Sequence, residues 1–292
     1  MKKLNITKVI LTAIFWAVGI SMVLPLIWMM STACKVEADV FNFPIQWIPP
    51  RWNLVENMKE VWGGTYNFGL YYLNTIKVTL GATFLQVFVS ALGAYGFSKV
   101  KFKGRDKIFL AYLATMMIPP QVTMVPLFSM MRHFPLAGGN SIFGQGGTGL
   151  VNTYTGLILP YIAGSFGVFL CRQFYVSFPR ELDEAATIDG CSRFGTFVRI
   201  YLPLSGSILA SLTILKVTGM WNEYTWPLIM TVASSDRVKT VQIALTSFRN
   251  EGEIFWNQLM AATLVVTAVV GIIFLCLQKY FVAGTMAGGV KE

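Results

Sequence analysis

Six long apolar stretches constrain this chain more than anything else in it: roughly Val9–Met30, Tyr71–Phe97, Ile108–Met131, Val151–Leu170, Leu204–Met230 and Phe255–Tyr280. About 20 mostly apolar residues are needed for a helix to cross the ~30 Å hydrocarbon layer. In lipid the backbone must satisfy its own hydrogen bonds, so an open-ended span is helical. A β-barrel would show alternating segments of about 10 residues, and these tracts are too long and too continuously apolar for that. The expected fold is therefore an all-α integral membrane protein with six transmembrane helices. The charge content agrees. Only 13% of the 292 residues are charged, against roughly a quarter in an ordinary soluble domain. The 22 Phe, 11 Tyr and 8 Trp also exclude a disordered chain.

Basic residues orient the spans. One set of flanks carries Lys2, Lys3, Lys8, Lys99, Lys101, Lys103, Arg105, Lys107, Arg172, Arg180, Arg193, Arg199, Lys279 and Lys291. The other carries Lys35, Arg51, Lys59, Arg132, Arg237, Lys239 and Arg249. Fourteen against seven puts both termini, the loop Lys99–Lys107 and the segment 177–203 on the cytoplasmic side. The net charge of +9 thus reads as topology and not as nucleic-acid binding. The first apolar run is too long for a signal-peptide core of about 7–15 residues, so an uncleaved first span is expected.

Several chemistries are disfavoured. Cys34, Cys171, Cys191 and Cys276 form no CxxC pair and no metal-ligand spacing with the single His133, so neither a zinc site nor a disulfide framework is expected. Gly144–Gly149 matches G-x-G-x-x-G, but no strand precedes it and no βαβ unit surrounds it. No Walker A sequence occurs, so the chain is not expected to cradle a nucleotide. A membrane enzyme would need a nucleophile–base or metal constellation, and neither HExxH nor GxSxG is present. No catalytic residue, metal ligand or bound cofactor is expected.

The segment 177–203 is unusually ordered for an inside loop. Pro179 suits a first helical turn. Glu181, Asp183 and Glu184 place negative charge at the positive end of the helix dipole. Ala185 and Ala186 favour helix, Asp189-Gly190 offers a stop, and a second run, Cys191–Ile200, leads to Leu202-Pro203, where the fifth span is expected to begin. This is a helix–turn–helix elbow with a small, acidic tip, shaped to enter a pocket on another protein. The alternative is a solvated linker.

Glu184-Ala185-Ala186, Asp189-Gly190, then Ile200 and Leu202-Pro203 resemble the EAA signature of binding-protein-dependent ABC importer permeases. Asn74-Thr75, Ala94-Tyr95-Gly96-Phe97, Pro119, Val125-Pro126-Leu127, Gly156–Pro160, Trp221-Asn222-Glu223-Tyr224 and Ala287-Gly288-Gly289-Val290-Lys291 are similar to the carbohydrate-uptake branch, in particular to the second permease half of maltose-type systems. The resemblance covers essentially the whole chain. It implies a type I importer fold, a single permease domain over residues 1–292, and a coupling helix at 177–203. It also implies a homologous second permease subunit, two cytoplasmic ABC ATPases carrying ATP and Mg, and an extracytoplasmic solute-binding protein. All of these would sit at a bacterial or archaeal cytoplasmic membrane. The residues assigned to ATPase coupling are Glu184, Ala185, Ala186, Asp189, Gly190, Ile200, Leu202 and Pro203.

Other candidates come from residue chemistry. Trp221, Asn222, Glu223, Tyr224 and Trp226 combine aromatic faces with amide and carboxylate groups, which suits sugars or, alternatively, an interfacial aromatic belt. Lys216 and Glu223 are seven apart, on one side of a continuous helix. Ionisable groups inside spans face the bundle or water, or snorkel. Lys77 is expected to snorkel. Pro119, Pro120 and Pro126 should break or kink the third span. Ala91, Gly93, Ala94 and Gly96 suit close helix packing. The tail 283–292 could reach the ATPases or fray.

Overall fold

The computed structural model describes residues 6–64, 67–231, 235–250 and 253–289. Of the predicted features, Lys2, Lys3, Val290 and Lys291 lie outside them. The helices are α1 (Ile6–Ala33), α2 (Leu54–Gly63), α3 (Phe68–Lys99), α4 (Arg105–Ala114), α5 (Pro120–Arg132), α6 (Tyr154–Ile158) and α7 (Ser165–Val176). They continue with α8 (Glu181–Ile188), α9 (Arg193–Thr196), α10 (Leu202–Leu204), α11 (Gly206–Trp221), α12 (Thr225–Met230), α13 (Val241–Ser247) and α14 (Trp256–Gly289). The described strands are a two-residue ribbon, β1 (Arg249–Asn250) antiparallel to β2 (Glu253–Ile254).

Three helices are long and apolar enough to cross a membrane alone: α1, α3 and the Trp256–Cys276 part of α14. The third, fourth and fifth expected spans are broken pairs, bent by 103° between Arg105–Met117 and Pro120–Arg132, by 46° between Tyr154–Tyr161 and Ser165–Val176, and by 79° between Arg193–Leu204 and Gly206–Trp221. The described chain thus has three such helices, or six spans if each bent pair is one. The breaks have local causes. Ile118 precedes Pro119 and is extended (φ −82, ψ 118), because the proline ring disfavours the helical region in the residue before it. Pro120 then opens α5 at a position where its missing N–H is harmless. Gly164 is extended (φ −116, ψ 120) ahead of α7. At the fifth break the hinge is Ser205 (φ −90, ψ 9), so the span restarts at Gly206 and not at Pro203. This span also stops early, at Trp221, with α12 a separate helix.

The chain divides into two compact units, 1–69 with 244–269, and 70–243 with 270–292. In the first, Asn57 is a buried polar node. Its amide donates to the Ala33 and Lys35 carbonyls at 2.8 Å, and its Oδ1 accepts from Asn53 at 2.9 Å and Asn257 at 3.0 Å. The exit of α1, the start of α2 and the start of α14 are thereby fixed together. Arg51 clasps Asp39 through two nitrogens at 3.0 Å, which holds the Asp39 carboxyl below the usual carboxylate range. The α1 side chains in its most apolar stretch are unburied throughout.

In the second unit a buried polar stripe, Asn74, Thr75, Thr79, Thr83, Gln86 and Ser90, runs down one face of α3. Helix α7 approaches this stripe because position 167 is glycine. A Cβ there would stand 2.4 Å from Ser90 Oγ. Of the small residues expected to permit close packing, Ala91 and Ala94 are buried, while a Cβ on Gly96 would meet nothing. Two apolar cores follow. One gathers Tyr95, Phe109, Cys171, Tyr175, Phe197, Tyr201 and Leu212. The other gathers Val78, Met131, Leu157, Met220, Trp226 and Met230.

The glycine-rich loop is a compact, backbone-organised element. Asn140 donates to the Arg132 and Phe134 carbonyls at 2.9 and 3.0 Å and accepts from Gly147 N at 2.8 Å. The glycines of its G-x-G-x-x-G string, 144, 146 and 149, take positive φ angles. No strand precedes them in the described chain.

Candidate functional site

The elbow is built on a buried pedestal. α8 carries Glu181, Asp183 and Glu184 in its first turn, where the unpaired N–H groups favour negative charge. Its end is a Schellman motif: Cys191 N donates to Ala186 O at 2.9 Å and Gly190 N to Thr187 O at 3.1 Å, with Gly190 at φ +72. Ser192 caps α9 by accepting from Gly195 N at 3.1 Å, as expected of serine at this position. A π-helical turn, Phe197–Tyr201, passes into α10.

Asp183 ties the elbow down. Tyr201 OH donates to its Oδ2 at 2.8 Å, and Lys99 Nζ stands 3.8 Å from the same oxygen. The Lys99 ammonium also donates to Phe178 O at 2.8 Å and lies 5.6 Å above the Tyr201 ring. Beneath, Tyr201 packs on Tyr95 (4.9 Å between centroids), Tyr175 (5.4 Å) and Phe178 (5.4 Å). Ser205, at the hinge, donates to the Tyr201 carbonyl, and its Oγ is hydrogen-bonded to the Tyr175 hydroxyl. α8 is thereby joined to α3 and α7 through packed rings and one shared carboxylate.

The predicted coupling residues divide into two groups. Glu184, Ala185, Asp189, Gly190 and Pro203 are exposed, while Ala186 is buried and Ile200 and Leu202 are half-buried against the pedestal core. Of the two alanines, only Ala185 is open to a partner. Two exposed apolar side chains that the signature reading passed over, Ile188 (86% exposed) and Phe194 (58%), stand beside the acidic tip. Asp183, Tyr201 and Lys99 were also missed as a group, since their pairing is long-range.

The other candidate cluster lies at the far end of α11, whose 16 residues span about 24 Å at 1.5 Å per residue. Lys216 and Glu223 do not share a helix, because α11 ends at Trp221. Both lie beside Tyr161: the Lys216 ammonium sits 4.5 Å above its ring, and Glu223 is among the groups near its hydroxyl. Glu223 Oε1 also accepts from Trp226 N at 3.1 Å, at the start of α12. Trp221 is 2% exposed, stacked edge-on with Tyr72 at 5.6 Å. Its ring is not offered to a solute; Asn222 and Tyr224 are exposed instead. Trp226 is buried with its Nε1 on Gly156 O at 3.1 Å. Lys77 does not simply snorkel: it lies 5.5 Å above the Tyr154 ring, whose hydroxyl donates to Asn74 at 2.6 Å. Asn74 in turn donates to the Arg237 and Lys239 carbonyls. Among the described residues no three His, Cys, Asp or Glu side chains come together as metal ligands do.

Residues 86–286 match the family described as binding-protein-dependent transport system inner membrane component. A probable ABC transporter permease, YurM of Bacillus subtilis, is 36% identical over 93% of this chain and 85% of its own length. The arabinooligosaccharides permease AraQ of the same organism is 31% identical over 98% and 97%. The lactose permease LacG of Rhizobium radiobacter is 30% identical over 92% and 91%. A solved bacterial ABC transporter involved in import of the acidic polysaccharide alginate contains a chain of the same fold. Its TM-score is 0.81 at 21% identity, covering 96% of this chain and 98% of that one.

Proposed function

Because this chain belongs to the binding-protein-dependent inner membrane components, a family of transport permease subunits and not of enzymes, we propose that it forms half of the membrane pathway for a saccharide in an ATP-driven importer. The relatives named for arabinooligosaccharides and lactose support the solute class. A homologous second permease completes the pathway. Two ABC ATPases beneath hold ATP and Mg, and an extracytoplasmic binding protein delivers the solute. Both termini and the elbow face the cytoplasm.

The observation that carries the reading is the elbow at 177–203. Its exposed face, Glu184, Ala185, Ile188, Asp189 and Phe194, combines acidic and apolar groups on a rigid, glycine-terminated turn, and its buried face is bolted to the spans. We assign it as the coupling element that enters an ATPase groove. Nucleotide-driven closure moves the elbow, and the pedestal conveys that motion to α3, α7 and α11. Such closure can drive the change only through differential affinity for the two states, and shifting 1:99 to 99:1 takes about 5.5 kcal/mol. At the other end Lys216, Tyr161, Asn222, Glu223 and Tyr224 line the solute pathway, with Trp221 behind them as packing. Broken helices suit such a role, since irregular backbone at membrane depth is tolerated where it lines a cavity.

The test is co-purification and uptake. The ATPases should remain with the permease after detergent extraction, and Glu184→Lys should release them and abolish uptake while the protein still inserts. Uptake at the normal rate by Glu184→Lys, or by the permeases without ATPases, overturns the assignment and favours an ion-coupled carrier.

A further inference from the structure

The loop between α3 and α4 forms, with Arg180, a cleft of about 540 Å³ lined by Lys101, Phe102, Gly104, Arg105, Asp106, Lys107 and Arg180. Four cations face one carboxylate. That carboxylate is already shared, since Arg105 holds Asp106 at 3.2 Å and Arg172 reaches it at 3.4 Å. Lys101, Lys107 and Arg180 form no ion pair among the described residues. The cleft is thus built with positive charge in excess. Topology alone asks for basic residues near a span, but not for their convergence around a concavity.

The apolar surroundings identify the ligand class. Phe102 lines the cleft and is 43% exposed, and Ile108, 52% exposed, has its Cδ1 beside Gly104 of the cleft wall. A free phosphate would use only the charges. A molecule with a phosphate head and acyl chains would use both surfaces, and the cleft lies at the end of α3, one of the helices long and apolar enough to cross a membrane. We propose that this cleft binds the phosphate of an anionic phospholipid, with Lys101, Lys107 and Arg180 on the phosphate oxygens and Phe102 and Ile108 against the chains. Basic pockets beside spans on the cytoplasmic side suit such headgroups. The assignment to the inner leaflet rests on the orientation proposed above.

The experiment uses the full complex in nanodiscs of phosphatidylcholine mixed with phosphatidylglycerol, and native mass spectrometry counts the lipid that stays bound. Wild type should retain phosphatidylglycerol in preference to phosphatidylcholine. The double variant Lys101→Gln, Lys107→Gln should retain less, by about fivefold per lysine removed, and Lys101→Arg, Lys107→Arg should retain it as wild type does. Equal retention by wild type and the Gln variant, no preference for the anionic lipid, or complete displacement by millimolar inorganic phosphate would each overturn the site. ATPase co-purification is read in the same sample. Failure of wild type to hold the anionic lipid with the ATPases retained sinks the lipid site alone, whereas ATPases absent from wild type that still holds lipid sink the coupling reading alone.

Discussion

The two ends of α11 are organised in opposite senses. At the elbow the charged and apolar side chains assigned to function point outward, and the rings that support them are buried. At the far end Trp221 and Trp226 are buried, and the Lys216 ammonium rests on the Tyr161 ring with Glu223 nearby. One end thus presents the surface proposed above to meet an ATPase. At the other, the proposed solute-pathway residues lie beside buried aromatic rings. Substitutions should therefore separate cleanly into those that remove coupling with folding intact and those that remove packing first.

The largest effect is expected from Gly190→Pro. Position 190 needs φ +72, and proline is locked near −65°. Uptake and ATPase retention should both vanish while membrane insertion is unchanged; normal uptake would mean the turn is incidental. Next is Asp183→Asn, which removes the charge shared by Lys99 and Tyr201. ATPase docking should survive in part, but uptake per ATP hydrolysed should fall several-fold, measured as the ratio of the two rates in proteoliposomes. A ratio like wild type's would break the pedestal argument.

The far end gives a smaller, paired test. Trp221→Ala should lower the yield of folded, monodisperse protein and its Tm, since large aromatic truncations in packed sites cost about 3–5 kcal/mol. Tyr224→Ala should leave Tm unchanged and raise KM for uptake. If the two behave alike, the inward and outward assignment of these rings is wrong. The smallest effect should come from Asp39–Arg51, which belongs to neither end. Its carboxyl titrates below the unfolded value of about 3.9, so the pair stabilises above that value and is lost as pH falls through the lower, folded value. Thermal unfolding followed from pH 6 to pH 3 should lose slightly less stability in Asp39→Asn than in wild type. Identical slopes would show that the pair contributes nothing.

What the sequence could express was set by range. Apolar length sufficed to mark the three long helices and the three bent pairs, and Pro119-Pro120 marked one break because proline acts on its immediate neighbours. The glycine stop at 190 was legible for the same reason. The breaks at Ser205 and Asn222 were not, since neither residue forbids helix, and tertiary packing decides there. Burial of Trp221 depends on Tyr72, far away in the chain, so its ring chemistry suggested sugar contact where the structure has an aromatic lid. Asp183 looked like one more acid at a helix start. Its bond to Tyr201, 18 residues on, emerges only once the elbow has folded back on the spans.

Position 190 has one more consequence. An added methyl group there would meet nothing within 4 Å, so the site demands a handedness and not a small volume. An L-alanine would be strained. A D-alanine, introduced by chemical ligation, has the mirror-image preference and would fit the same bend with less freedom in the unfolded chain. The stereochemistry of a single carbon could thus turn the elbow from compromised to stiffened.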